Sequence, residues 1–150
     1  MGLHVHINGT AVSQALQTAP TQLNGAIRLS LMRSAVYAQG MFIRNMPRGT
    51  TGGLQRSVTY HFSGDKHVEI EPTANQADYV EFGTRPHMPP VDSLRPWAQS
   101  KGLNPWAVAR GIAKHGTRKQ PYLDKTEATV IPYIKQDMSA TMDKTIGDIL

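Results

Sequence analysis

Residues 57–84, SVTYHFSGDKHVEIEPTANQADYVEFGT, decide the fold class of this chain. SVTYHF (57–62) and HVEIE (67–71) alternate apolar and polar side chains, the period of a half-buried strand. The four residues between them, Ser-Gly-Asp-Lys, suit a hairpin connection. Val58, Tyr60 and Phe62 then share one face, and Val68 and Ile70 one face of the partner strand. DYVEF (78–82) alternates again and reads as a third strand, with Tyr79 and Glu81 on one side and Val80 and Phe82 on the other. Glu81 is the oddity. A lone carboxylate in an apolar, aromatic run is a catalytic acid, a metal ligand, or an anchor for a backbone or a neighbouring subunit.

Towards the N-terminus, LHVHI (3–7) sets Leu3, Val5 and Ile7 against His4 and His6, a strand pattern closed by Asn8-Gly9. A short helix fits 11–18, stopped by Pro20. Thr21 is placed to cap a long helix to Asn45, in which Leu23, Ile27, Leu31, Ala35, Ala38 and Phe42 recur every three or four residues. Pro47 ends it, and PRGTTGGLQRS (47–57) reads as an exposed loop. Towards the C-terminus, RPHMPP (85–90) is extended. One helix is then capped at Asp92, with Pro96 in its first turn and Gly102 beyond its end. A second is capped at Asn104, opens on Pro105 and stops at Gly116. Asp124-Lys-Thr-Glu127 has the form of a capping box. It opens a C-terminal helix striped by Val130, Ile134, Met138, Met142, Ile146 and Ile149, which Pro132 should kink or delay. The expected fold is α+β, one domain over 1–150. Long N-terminal and C-terminal helices pack on a small antiparallel sheet, with a helical pair inserted at about 85–119.

Hydrophobic residues make up 39% of the chain and mean hydropathy is −0.38, ordinary for a globular domain. No apolar run approaches the roughly 20 residues that cross a bilayer. The N-terminus lacks a secretory pattern, and His6 stands where a myristoylation motif has Ser or Thr. With no cysteine, disulfides, thiolate catalysis and cysteine–zinc sites are excluded. The net charge of +5 is laid out in blocks. Residues 1–64 hold five arginines and no acid, 65–84 carry −4, 85–119 carry +6 and 120–150 carry −2. Acidic and basic blocks of this kind are expected to meet partners, either copies of the chain or nucleic acid.

Little in the chain points to catalysis. His4 and His6 can chelate as an i, i+2 pair, but no third ligand is placeable, and solvent-facing strand histidines are expected. His61, His67, His87 and His115 have no metal-ligand spacing, so neither metal nor cofactor is expected. Nucleophile-elbow, phosphate-loop and dinucleotide motifs are absent. Glu69 and Glu71 lie on one strand face as a solvated or interface-facing edge. The chain is therefore read as no enzyme. The pair at 93–115 has the outline of a helix-turn-helix inside the basic block of Arg85, Arg95, Lys101, Arg110, Lys114, Arg118 and Lys119. Gly111 and the clustering of cations at the exit of the second helix argue against base reading, and Trp97 and Trp106 are expected to pack the pair onto the domain.

Three motifs in order carry a resemblance. They are PRGTTGGLQRS after a long helix, ADYVEFGT after a hairpin, and QPYLDKT opening the last helix. Together they resemble the head–tail joining, or tail-completion, family of long-tailed bacteriophages, which includes the minor tail protein Z type. Pro47, Thr51, Gly52, Leu54 and Ser57 match its loop, with Gly53 before the leucine. Tyr79, Val80, Glu81, Phe82, Gly83 and Thr84 match its Val-Glu-x-Gly-Thr strand in compressed form. Gln120, Pro121, Tyr122 and Leu123 match its Gln-Pro-Phe-Leu element, with Tyr for Phe. The resemblance covers about residues 20–150 and implies a non-enzymatic virion protein, made in the host bacterial cytoplasm. It implies a ring around the DNA channel at the neck, commonly sixfold, contacting head-completion and tail-terminator or tail-tube proteins, with no membrane association. On that reading the cations of 85–119 make non-specific contact with genomic DNA passing through the neck or meet an acidic surface of an adjacent ring. The alternative is a basic DNA-binding protein using the pair at 93–115. On the neck reading, Glu81 accepts hydrogen bonds from the GTTGGL backbone or pairs with Arg48, Arg56 or Arg85 of its own or a neighbouring chain. Gly83 then turns the backbone and Thr84 bonds locally.

Overall fold

A computed structural model describes residues 5–8 and 21–149 of the chain. The helix expected over 11–18, with Leu3 and His4, lies outside the described residues. Strand β1 (Val5–Asn8) is followed by α1 (Thr21–Asn45), α2 (Gly53–Arg56), β2 (Val58–Phe62) and β3 (His67–Pro72). Then come α3 (Ala77–Phe82), α4 (Val91–Ser100), α5 (Pro105–His115) and α6 (Leu123–Ile149).

The alternation at 57–71 yields the hairpin it predicts. β2 and β3 pair antiparallel with Tyr60 opposite Ile70. β1 adds to the other edge of β3, with Val5 opposite Ile70, giving the order β1-β3-β2. Val58, Val68 and Ile70 turn inward to the core, with Tyr60 and Phe62 packed at its edge. At the turn of that hairpin, Arg28 of α1 pairs with Asp65 and lies over the Phe62 ring, 5.6 Å from its centroid.

Helix α1 follows its apolar spacing. Leu23, Ile27, Leu31, Ala35, Ala38 and Phe42 are all buried, against the sheet on one side and α6 on the other. Full burial of a side chain the size of Ile27, Leu31 or Phe42 is worth about 1.5–3 kcal/mol, so this stripe is the main stabilising feature. α6 runs antiparallel to α1. Tyr37 stacks on Tyr133 with ring centroids 3.9 Å apart, Asn45 donates to Thr126 at 3.1 Å, and Arg33 meets Asp137 at 3.0 Å. Of the expected α6 stripe, Val130 is fully buried and Ile134, Met138 and Met142 pack at the core edge, but Ile146 is exposed. The side chain of Ile149 lies outside the described residues. Pro132 does not delay the helix, which begins at Leu123 and runs through it.

The inserted pair forms where expected, with only the start of its first helix changed. Asp92 is not a cap: Pro90 holds that position, Asp92 lies in the first turn of α4, and Pro96 sits beyond that turn. Asn104 does cap α5, accepting from the N–H groups of Trp106 and Ala107, with Pro105 first in the helix.

Candidate assembly site

ADYVEF (77–82) is a helix, not the third strand its alternation suggests. Ala77 and Glu81, four residues apart, share the buried face, while Tyr79 and Phe82 are 62% and 65% exposed. What selects the helix lies 41 residues away, where Glu81 Oε2 accepts the backbone N–H of Tyr122 at 2.7 Å. It also accepts the N–H of Leu123 at 3.2 Å. These donors open α6, where a helix has no acceptor of its own for them, and the carboxylate meets the positive end of the helix dipole. Burial of Glu81 to 4% exposure is compensated in this way. Glu81 thus does the capping that the Asp124–Glu127 box was expected to do.

The rest of the motif closes the same joint. Gln120 donates to Val80 O at 2.9 Å, and the Tyr122 hydroxyl to Ala77 O at 3.2 Å. Burial, and then the nearby charges of Glu81 and Asp78, push the Tyr122 phenol well above its ordinary range, so it remains a neutral donor. Thr84 and Thr117 form an antiparallel bridge, and Thr84 Oγ1 accepts from both the N–H and the hydroxyl of Thr117 at 3.0 Å. Gly83, at φ +73°, passes so close that a Cβ would stand 2.5 Å from Thr117 O. Gly116, at φ +72°, faces Thr84 O even more closely. Only glycine fits at either position, and the crossing of the two segments makes a stalk under the helical pair.

The first motif sits elsewhere. Residues 53–56 form α2 rather than a fully exposed loop, with Leu54 buried, Pro47 half-buried and Thr51 exposed. Arg56 donates to Thr51 O at 2.5 Å, and Gln55 to Ile43 O at 2.8 Å. With Arg48 and Gly52 they line a basin of about 350 Å³. Among the described residues of the chain, Glu81 therefore bonds neither the GTTGGL backbone nor Arg48, Arg56 or Arg85. The first motif meets the other two in the core, where Leu54, Ala77 and Tyr122 share one cluster and the Phe42 ring meets Tyr122 edge-on at 6.3 Å.

Arg85, Arg95, Lys101, Arg110, Lys114, Arg118 and Lys119 are all exposed. Among the described residues one of the seven has a carboxylate partner, Arg95 with Asp92 at 2.7 Å. The tryptophans do not pack the pair onto the body, being 40% exposed at Trp97 and 55% at Trp106. Ala98 and Ala109 are small enough to let α4 and α5 close on each other instead.

Two features escaped the sequence reading. One is a polar joint between α1 and α6: Asp137 accepts from Ser30 at 2.5 Å and from Arg33 at 3.0 Å, and Arg33 also donates to Thr141 at 2.6 Å. Burial opposes ionisation of Asp137, but the Arg33 and Ser30 hydrogen bonds outweigh it and hold the carboxyl below its usual range. The other is a second apolar stripe on the outer face of α1, where Leu29, Met32, Val36 and Ile43 are exposed. Their spacing of three, four and seven was visible, but a longer inner stripe masked it. Met32, Arg33, Val36, Tyr37 and Tyr133 line a groove of about 490 Å³ there.

Much of the acidic block is engaged within the chain. Asp65 holds Arg28, Glu81 holds α6, and Glu69 lies 2.7 Å from His61 and 3.1 Å from His67. Hydrogen bonding from His67, aided by His61 against the effect of burial, holds the Glu69 carboxyl below its usual range. Among the described residues no three His, Asp or Glu side chains are arranged to hold a metal ion, and no helix is long and apolar enough to cross a membrane. Comparison of the chain with protein-family models, with curated proteins and with solved structures returns no match.

Proposed function

We propose that this chain is a structural protein of a bacteriophage neck, one copy in a ring that joins or completes the tail around the DNA channel. It works by shape and docking, with no chemistry of its own. The observation that carries the reading is the outer face of α1. A helix apolar on both faces is ordinarily covered on both, and Leu29, Met32, Val36 and Ile43 are uncovered in the single chain. A ring needs two different surfaces on each copy, one meeting the other on the next copy. The groove beside Tyr133 is one, and the exposed Tyr79 and Phe82 on α3 are the other. α3 sits at the start of α6, and Tyr133 lies roughly 16 Å further along that helix at about 1.5 Å per residue. The ordered motifs at 47–57, 77–84 and 120–123, which resemble the neck family, support the same reading.

Disrupting the gene in its source phage or prophage and imaging the particles tests it. Separate full heads and tails, or tails of abnormal length, are expected, and the intact gene should restore virions where one encoding Val36→Asp does not. Complete, infectious virions from the disrupted phage would end the neck reading.

A further inference from the structure

We infer that the stalk and outer face of α5 form a binding surface for the sugar–phosphate backbone of DNA, without base readout. This goes beyond the ring reading and stands apart from it, because it rests on the helical pair alone. Trp106, Arg110 and Lys114 recur every four residues and so lie along one face of α5, and all three are exposed. The chain then passes Gly116 into Arg118 and Lys119, which run beside Gly83 at the crossing, while Gly116 packs against the backbone of Arg85. The positive charge is therefore continuous from mid-helix to stalk. A helix C-terminus attracts cations and accounts for Lys114, but Arg85, Arg118 and Lys119 lie outside α5.

Charge complementarity decides the occupant. Arg85, Arg110, Lys114, Arg118 and Lys119 have no carboxylate partner among the described residues. A second copy offers them fewer open carboxylates than its acidic block suggests, since Asp65, Glu69 and Glu81 are already engaged within that copy. Phosphates supply what the chain does not. An exposed indole beside the cations adds a stacking surface that tolerates any base. Base reading is not built in, because recognition helices read from their N-terminal half, and these cations occupy the C-terminal half and beyond.

The test is fluorescence anisotropy of the full chain with labelled DNA of unrelated sequence, as a single strand and as a duplex. With about four phosphates neutralised, affinity for duplex should fall roughly 10²-fold between about 50 and 200 mM salt. The double variant Arg110→Ala, Lys114→Ala removes only exposed side chains, and should reduce the salt slope by about 2. Trp106→Ala should weaken single-strand binding about tenfold and leave the duplex slope unchanged. No binding, binding indifferent to salt, or a double variant that binds like the parent would overturn the inference. So would loss of self-association in the double variant where the parent binds no DNA, because the surface would then be a subunit contact. Complete virions from a disrupted phage would end the neck reading and leave this surface standing.

Discussion

Glu81 gives α6 what most helices take from a residue next to their first turn, an acceptor for the opening N–H groups, and it does so from a different helix. Its removal should therefore act on the joint and not on α3 alone. Glu81→Ala leaves one buried and one half-buried donor unmet beside a cavity, and is expected to cost about 2–3 kcal/mol in urea unfolding. Glu81→Gln keeps an acceptor but loses the charge at the helix dipole and brings in a buried amide, so about 1–2 kcal/mol is expected. If both variants unfold with the parent, the capping role is wrong. Ser34 is the converse case. It is fully buried on the inner face of α1, and its hydroxyl has no hydrogen-bond partner among the described residues. Ser34→Ala removes an unmet polar atom at little cost in volume, and should leave the melting temperature unchanged or raise stability by about 1 kcal/mol. A clear loss would mean that the hydroxyl is satisfied in solution.

At the scale of elements, the pairing of α1 with α6 is apolar along most of its length and polar at Asp137. The folded pKa of Asp137 lies below its unfolded value of about 3.9. Its contribution is then fully present above that unfolded value and lost as pH falls through the folded one. Asp137→Asn should cost about 1–2 kcal/mol at neutral pH, with the gap from the parent closing as pH drops below about 4. Urea midpoints taken across that range measure it, and a gap independent of pH would remove the ionic part of the joint. The elements legible in the sequence are those fixed by local rules. α1 follows from apolar residues every three or four, the hairpin from alternation around a short turn, and α5 from Asn104, Pro105 and Gly116. α3 was not legible, because five residues of alternation fit a strand as well as they fit a helix with Ala77 and Glu81 inward. The contact that decides between them joins Glu81 to Tyr122, and no local rule carries it. The tryptophans misled for a related reason. Large aromatic residues are usually buried, but Ala98 and Ala109 let α4 and α5 close without them.

For the whole molecule, the proposed ring rests on two surfaces that a single chain cannot bring together, the α1 groove and the Tyr79–Phe82 knob. Each can be spoiled without touching the core, since Val36, Tyr79 and Phe82 are all exposed. Val36→Asp puts a charge into the groove, and Tyr79→Ser with Phe82→Ser removes the knob. Neither variant should assemble alone under conditions where the parent does, by light scattering or native mass spectrometry, and both should melt within about 0.5 kcal/mol of the parent. Mixed together, the two should form dimers and go no further. The knob of the Val36→Asp copy still meets the intact groove of the other, while the return contact has both sides spoiled. A face that met its own counterpart across a two-fold axis behaves differently, because the copy with the intact α1 face would already self-associate without its partner. Dimers from the mixture, with monomers from each variant alone, are thus the signature of the head-to-tail contact that a ring requires. A mixture that stays monomeric while the parent assembles would show that groove and knob do not belong to each other.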